Sequence, residues 1–202
     1  MNFLAHIFLS GTNDYVKIGN FMADSIKGNS YLDYPKDIQR GIIIHRNIDF
    51  YTDKHPLFSK GRKRLFEHYG HYSGIIMDLY YDYLLTKNWS KYSSVSLSDY
   101  IEDFYQLLVR YEDQLTVSVR KFYKIMIKHN WLWSYASFEG LQDILNQMQK
   151  RINYRGATSF TVDFLKKDLE TFNDEFLSFF EDIQQFLARS ETTNRINKKL
   201  IL

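Results

Sequence analysis

The sequence predicts an all-α protein, a single domain built as a multi-helix bundle. Two observations carry most of that expectation. The 202 residues include only 2 Pro and 9 Gly, whereas a sandwich or barrel needs Gly- and Pro-rich turns at short intervals. Apolar residues also recur at three- and four-residue spacing along most of the chain, as they do in helices with one buried face. A third observation sets the domain count. The length is close to that of one domain of about 100–200 residues, and no internal repeat or low-complexity tract divides it. The expected organisation is a helical domain over 1–189 and a polar tail over 190–202.

The elements follow in order. Met1 to Ser10 is apolar but has no basic leader and is interrupted by His6, so it does not read as a signal peptide. A helix is expected over 14–28, where the small residues Gly19, Ala23 and Gly28 would let a second helix approach closely. Asn29 to Tyr34 reads as a turn. Pro35 then suits the first turn of a helix over 36–55, which Pro56 would stop. Further helices are expected over 57–68, 72–87, 97–113, 117–135, 138–152 and 159–189. In the last of these, Phe172, Phe176, Phe179, Phe180 and Ile183 keep helical spacing, the pattern of a long packed face. From Ser190 the chain is polar and ends Lys198-Lys199-Leu200-Ile201-Leu202, which reads as a fraying tail.

Composition removes several function classes. With no Cys there is no thiolate nucleophile, disulfide framework or zinc ribbon, so a metal would bind through His, Asp or Glu. A net charge of +2 is too near neutral for the broad footprint of a nucleic-acid binder. No apolar run reaches the roughly 18 residues of a spanning helix. The expectation is a cytoplasmic protein whose partner is neither nucleic acid nor membrane.

The informative residues are polar ones on apolar stripes. Ile38, Ile42, His45, Asp49 and Thr52 follow at +4, +3, +4 and +3, one face of one helix, and the isoleucines turn that face inward. A bare inward carboxylate is costly unless paired or bound to a cation, so the face is either a buried His-Asp pair or a metal or catalytic site. Asp53 lies one turn further along. Ile75, Asp78, Asp82 and Leu85 repeat the pattern on a second helix, and two inward carboxylates there would call for a cation or an arginine between them. Asp24, in Gly19-Asn20-Phe21-Met22-Ala23-Asp24, and His6, in Asn2-Phe3-Leu4-Ala5-His6, complete the set. Arg46 could reach a phosphate or form an ordinary salt bridge. His55, His68, His71 and His129 lie among polar or turn residues and read as surface groups. Hard oxygen donors with imidazole on helices suit Mn, Mg, Fe or Zn in hydrolytic use.

These segments, together with Gly41-Ile42-Ile43-Ile44-His45-Arg46-Asn47-Ile48-Asp49, Thr52-Asp53 and Asp78-Leu79-Tyr80-Tyr81-Asp82, resemble the acyl carrier protein phosphodiesterase family. The resemblance is most specific over residues 1 to about 90. It departs from the family pattern at Phe8, Gly11 and Tyr83, where further histidines stand, and at Asn47, where an arginine stands. What it implies is a divergent, HD-domain-like helical hydrolase using a divalent metal, Mn²⁺ first and Mg²⁺ or Fe²⁺ next. That enzyme would cleave 4′-phosphopantetheine from the serine of holo acyl carrier protein. The resemblance assigns Asp24, His45, Asp49 and Asp78 to the metal, with His6, Asp53 and Asp82 as further ligands or partners of the ligands. For the chemistry, Asp82 or Asp53 outside the metal shell would move a proton, and Arg46 or a nearby lysine would contact the phosphate.

An acyl carrier protein is generally acidic, so its docking patch should be basic. Lys60, Arg62, Lys63 and Arg64 form one candidate cluster, and Arg120, Lys121, Lys124 and Lys128 form another. Each also fits an ordinary solvated helix face. Two rival functions stay open: a phosphohydrolase of the same class acting on a nucleotide or other small phosphoester, and a noncatalytic helical interaction protein with a structural His-Asp network.

Overall fold

A computed structural model describes residues 2–151 and 160–199, with 191–199 as backbone only. The described chain is helical throughout, with no strand. Twelve α-helices follow in order: α1 (Phe3–Leu9), α2 (Asp14–Met22), α3 (Lys36–Lys54), α4 (Pro56–Tyr69), α5 (Ser73–Lys87), α6 (Trp89–Tyr92), α7 (Leu97–Arg110), α8 (Val117–Lys128), α9 (Trp131–Ser134), α10 (Phe138–Arg151), α11 (Asp163–Lys167) and α12 (Leu169–Lys199). No helix among the described residues is long and apolar enough to cross a membrane.

Helix α5 forms the centre of the bundle. Nearly all of its residues from Ile76 to Leu85 are buried, so it is enclosed on all sides where most of its neighbours bury one stripe. Helix α12 lays an aromatic face across it. Phe172 meets Tyr80 at 5.7 Å between ring centroids, and Phe176 and Phe179 meet Tyr81 at 5.4 and 4.9 Å. Truncating a fully buried ring such as Phe176 to Ala should cost about 3–5 kcal/mol.

Helices α2 and α3 pack so closely that only glycine fits at the crossing. A Cβ on Gly19 would run into the Ile38 carbonyl, and one on Gly41 into the Val16 carbonyl. Gly41 is thus the partner of Gly19 that makes the crossing possible. The approach places Asn20, next to Gly19, against His45, one turn beyond Gly41.

Several expected boundaries are corrected. Residues 14–28 do not form one helix: α2 stops at Met22, a 3₁₀ turn covers Ala23–Ser25, and Gly28 serves a turn at φ +54° rather than a helix crossing. The expected helix 117–135 breaks at Asn130, in the left-handed region at φ +46°. The expected helix 159–189 divides at Asp168, and α12 continues to Lys199, past the expected end at 189. Residues 152 and 159, expected as helix termini, and tail residues 200–202 lie outside the described residues. The apolar start, for which no element was expected, forms α1. Asn2 caps it by accepting from the Phe3 N–H.

Candidate metal and phosphoester site

Five residues expected at a metal line one pocket of about 220 Å³: His6, Asp24, His45, Asp49 and Asp78. Four segments deliver them. His6 comes from α1, Asp24 from the turn after α2, His45 and Asp49 from successive turns of α3, and Asp78 from the first half of α5. Phe3, Phe21 and Ile75 supply apolar walls.

Asn20 organises the centre, and sequence reasoning gave it no role. Its side chain is fully buried, and its Nδ2 donates to the His6 carbonyl at 3.0 Å, which fixes the amide orientation. Its Oδ1 therefore faces both imidazoles, at 3.1 Å from His6 Nδ1 and 3.0 Å from His45 Nδ1. An amide oxygen only accepts, so both Nδ1 atoms carry the hydrogen and, in the neutral rings, both Nε2 atoms are left as bare lone pairs. The rings lie 4.2 Å apart. His6 Nε2 sits 3.2 Å from Asp49 Oδ1, and His45 Nε2 sits 3.1 Å from both Asp49 Oδ2 and Asp24 Oδ1.

Lone pair against carboxylate is repulsive unless a cation lies between them. The protein alone can supply only a proton. Burial by itself would lower the His45 imidazole, but the hydrogen bonds to Asp24 and Asp49 outweigh it and raise the group to about 9. Burial would raise Asp49, yet its bonds to His45 and His6 hold it well below the usual carboxylate range. The hydrogen bond from His45 also lowers Asp24, and burial lowers His6 against the opposing bond to Asp49. A divalent ion can replace that proton. Ligand atoms of His6, His45 and Asp49 all lie within 4.8 Å of one another, and imidazole Nε2 whose Nδ1–H is held by a second residue is the usual form of a metal-bound histidine. The donor set fits a divalent metal.

Asp49 is 47% and Asp24 83% exposed at the side chain, so the buried imidazoles form the floor and the carboxylates the open side. Asp24 reads from sequence as an ordinary exposed Asp or a ligand. It is exposed and also bonded to His45.

Three of the residues assigned to chemistry stand elsewhere. Asp82 does not carry a proton in the pocket. It is fully buried and accepts from the backbone N–H groups of Leu4 at 2.9 Å, Asn2 at 3.2 Å and Ala5 at 3.3 Å. It anchors the N-terminus of the helix that carries His6, a position where a carboxylate is stabilised by free N–H groups. The expected pair on α5 is thus divided, with Asp78 on the pocket and Asp82 one turn deeper. Arg46 is engaged by the chain after Asp24: it donates to the carbonyls of Ile26 and Gly28 at 3.2 and 2.9 Å and lies over the Tyr31 ring. It holds the Asp24 turn instead of reaching the pocket. Asp53 is exposed one turn past Asp49 and does not line the pocket. His55, expected at the surface, is buried; its Nδ1 accepts from the Leu57 N–H at 3.3 Å and its Nε2 lies 3.3 Å from Asp182.

The family model described as acyl carrier protein phosphodiesterase matches residues 1–183. Among curated proteins, the acyl carrier protein phosphodiesterase of Photorhabdus laumondii is 31% identical over 184 residues, covering 89% of this chain and 91% of that protein. The enzyme of the same name from Yersinia pestis is 27% identical over 181 residues, covering 89% and 94%. That from Klebsiella pneumoniae is 30% identical over 192 residues, covering 95% and 100%. No solved structure matches.

Proposed function

Since the chain belongs to the acyl carrier protein phosphodiesterase family, we propose that it hydrolyses the phosphodiester between 4′-phosphopantetheine and the serine of holo acyl carrier protein, as a cytoplasmic enzyme with a divalent metal. The observation that carries the metal-dependent reading is the pair of Nε2 atoms turned by Asn20 onto Asp49 at the floor of an open pocket. His6, His45 and Asp49 would hold the ion, with Asp24 and Asp78 beside it. The family resemblance makes Mn²⁺ the first choice, with Mg²⁺ or Fe²⁺ next, and the mixed imidazole and carboxylate donors suit a divalent ion of this kind. Such an ion supplies an acidified water and neutralises phosphoryl charge.

The remaining work falls to the chain. Asp24 and Asp78 stand on the pocket wall, where a carboxylate can take the proton of the attacking water. Attack forms the new P–O bond and breaks the bond to the serine oxygen, which recovers a proton and leaves as the hydroxyl of the apo carrier. The other product is 4′-phosphopantetheine. Asn20 keeps both imidazoles in one tautomer, Arg46 holds the Asp24 turn, and Asp82 fixes α1.

Incubating metal-stripped protein with holo carrier, with and without Mn²⁺, and following the carrier's intact mass tests the reading. The expected result is loss of the phosphopantetheine mass only with metal, abolished in His45→Ala and Asp24→Ala. An unchanged carrier beside a bound metal would transfer the chemistry to another phosphoester. Failure to bind metal would leave a structural His-Asp network.

A further inference from the structure

Helix α8 borders the pocket at two points. Thr116, which caps it, lies with its Oγ1 2.9 Å from the Oγ of Ser25, the neighbour of Asp24. Phe122 packs on the pocket-wall rings of Phe3 and Phe21, at 5.4 and 6.3 Å. The opposite side of α8 is presented outward as Val117, Lys121, Ile125 and Lys128, at +4, +4 and +3, one continuous stripe. Val117 is 65% exposed and Ile125 50%, large apolar groups in open positions that alternate with two exposed ammonium groups.

The two basic clusters seen in the sequence differ in the acidic residues their helices carry, not in whether they hold unpaired cations: Arg62 and Lys63 on α4, like Lys121 and Lys128 on α8, make no ion pair among the described residues. On α4, Lys60 and Arg64 are both engaged with Glu175 of α12, and Glu67 lies one turn beyond Lys63 on the same helix. On α8, Lys124 pairs with Glu112 and Arg120 donates to the Leu115 carbonyl. No Asp or Glu occurs anywhere in α8, so nothing on the helix opposes an approaching anion.

We infer that this outward stripe of α8 is where the carrier protein docks: an acidic face of the carrier meets Lys121 and Lys128, and its apolar side chains cover Val117 and Ile125, beside the Asp24 rim of the pocket. The inference rests on the proposed reading of the substrate. Cations at the edge of an interface act chiefly through encounter and salt dependence, and apolar anchors act through residence.

The test is steady-state release of phosphopantetheine from holo carrier by the metal-loaded enzyme, in low and high salt, for wild type, K121E/K128E, V117S/I125S and a control, K87E. Lys87 lies at the far end of α5 from Ile75 and Asp78. The expected result is a rise in KM of roughly tenfold or more in K121E/K128E with kcat retained, and loss of most of the wild-type salt dependence. V117S/I125S should raise KM without changing the salt slope, and K87E should match wild type. A wild-type KM and salt slope in K121E/K128E would overturn the docking surface while leaving the substrate reading in place, and so would an equal loss in K87E. If the wild type releases no phosphopantetheine at all, the substrate reading fails and the docking surface fails with it.

Discussion

Two His-Asp pairs lie along α3 and just beyond it, and they differ in one hydrogen. At His55, beyond the helix end, Nδ1 accepts from a backbone N–H, so Nε2 carries the hydrogen and donates to Asp182. That pair is complete within the protein. At His45, in the middle of the helix, Nδ1 donates to Asn20, so Nε2 faces Asp24 and Asp49 with no hydrogen of its own in the neutral ring. That pair is incomplete without a proton or a cation. The same two residue types therefore make a helix cap in one place and a candidate metal site in the other, and the partner of Nδ1 decides which.

The largest expected effect separates the pairs by function. His45→Ala should abolish metal-dependent turnover, whereas His55→Ala should retain it and lose about 1–3 kcal/mol of stability, read by urea unfolding beside the activity assay. Equal activity losses in the two variants would break the comparison. The next effect tests the hydrogen itself. Asn20→Ala frees both imidazoles to take either tautomer and should weaken metal binding by about 10–100-fold, measured by titration calorimetry with Mn²⁺. An unchanged affinity would show that Asn20 does not set the ligand form.

A smaller effect belongs to Asp82, the buried carboxylate that is satisfied by backbone alone. Burial pushes it up to about 7 despite the N–H groups of Leu4, Ala5 and Asn2 that favour its ionised form. Its folded value lies above the unfolded one, so the folded state holds the proton more tightly and stability falls as pH rises from about 4 to about 7. Asp82→Asn should remove that decline. Its own deficit of about 1–3 kcal/mol at pH 5, from an amide nitrogen set against backbone N–H, should shrink toward pH 8. The smallest effect is at the metal-free centre. His45 is raised to about 9, so its contribution is fully present below the unfolded value of about 6.5 and is lost as pH rises through 9. With one half-exposed and one largely exposed carboxylate as partners, solvent screening reduces this to roughly 1–3 kcal/mol. Chemical denaturation of metal-free protein at pH 6 and pH 10 should show it, and a His45→Gln variant should show only the smaller loss that Asp82 leaves between pH 6 and about 7.

Helical spacing made much of the candidate site legible. His45 and Asp49 fall on one stripe with Ile38 and Ile42, and that stripe does face the core and the pocket. Spacing could not separate Asp78 from Asp82, because both share a stripe of α5. One meets the pocket and the other meets the N-terminus of α1, a distinction made by what packs above each turn. The partners of Arg46 and the burial of His55 were not legible for a related reason. The segments these two residues bond, the 26–28 loop and α12, are distant in sequence. Asn20 carried a weak signal in its position beside Gly19, since a polar side chain next to a glycine-only crossing is bound to be buried.

By itself the sequence determined the helical class and the longer helices, through periodic apolar residues and two well-placed prolines, and it determined which side chains have metal-binding chemistry. Local pattern is sufficient there because helical geometry fixes which residues share a face. Only the tertiary structure decided which hydrogen bonds complete each polar group. It joined α1, α2 and α3 at His6, Asn20 and His45, gave Asp82 to the backbone of α1, and left two nitrogen lone pairs facing Asp49. That choice depends on donors and acceptors brought together from distant segments, and a buried polar group takes its role from the partner it meets.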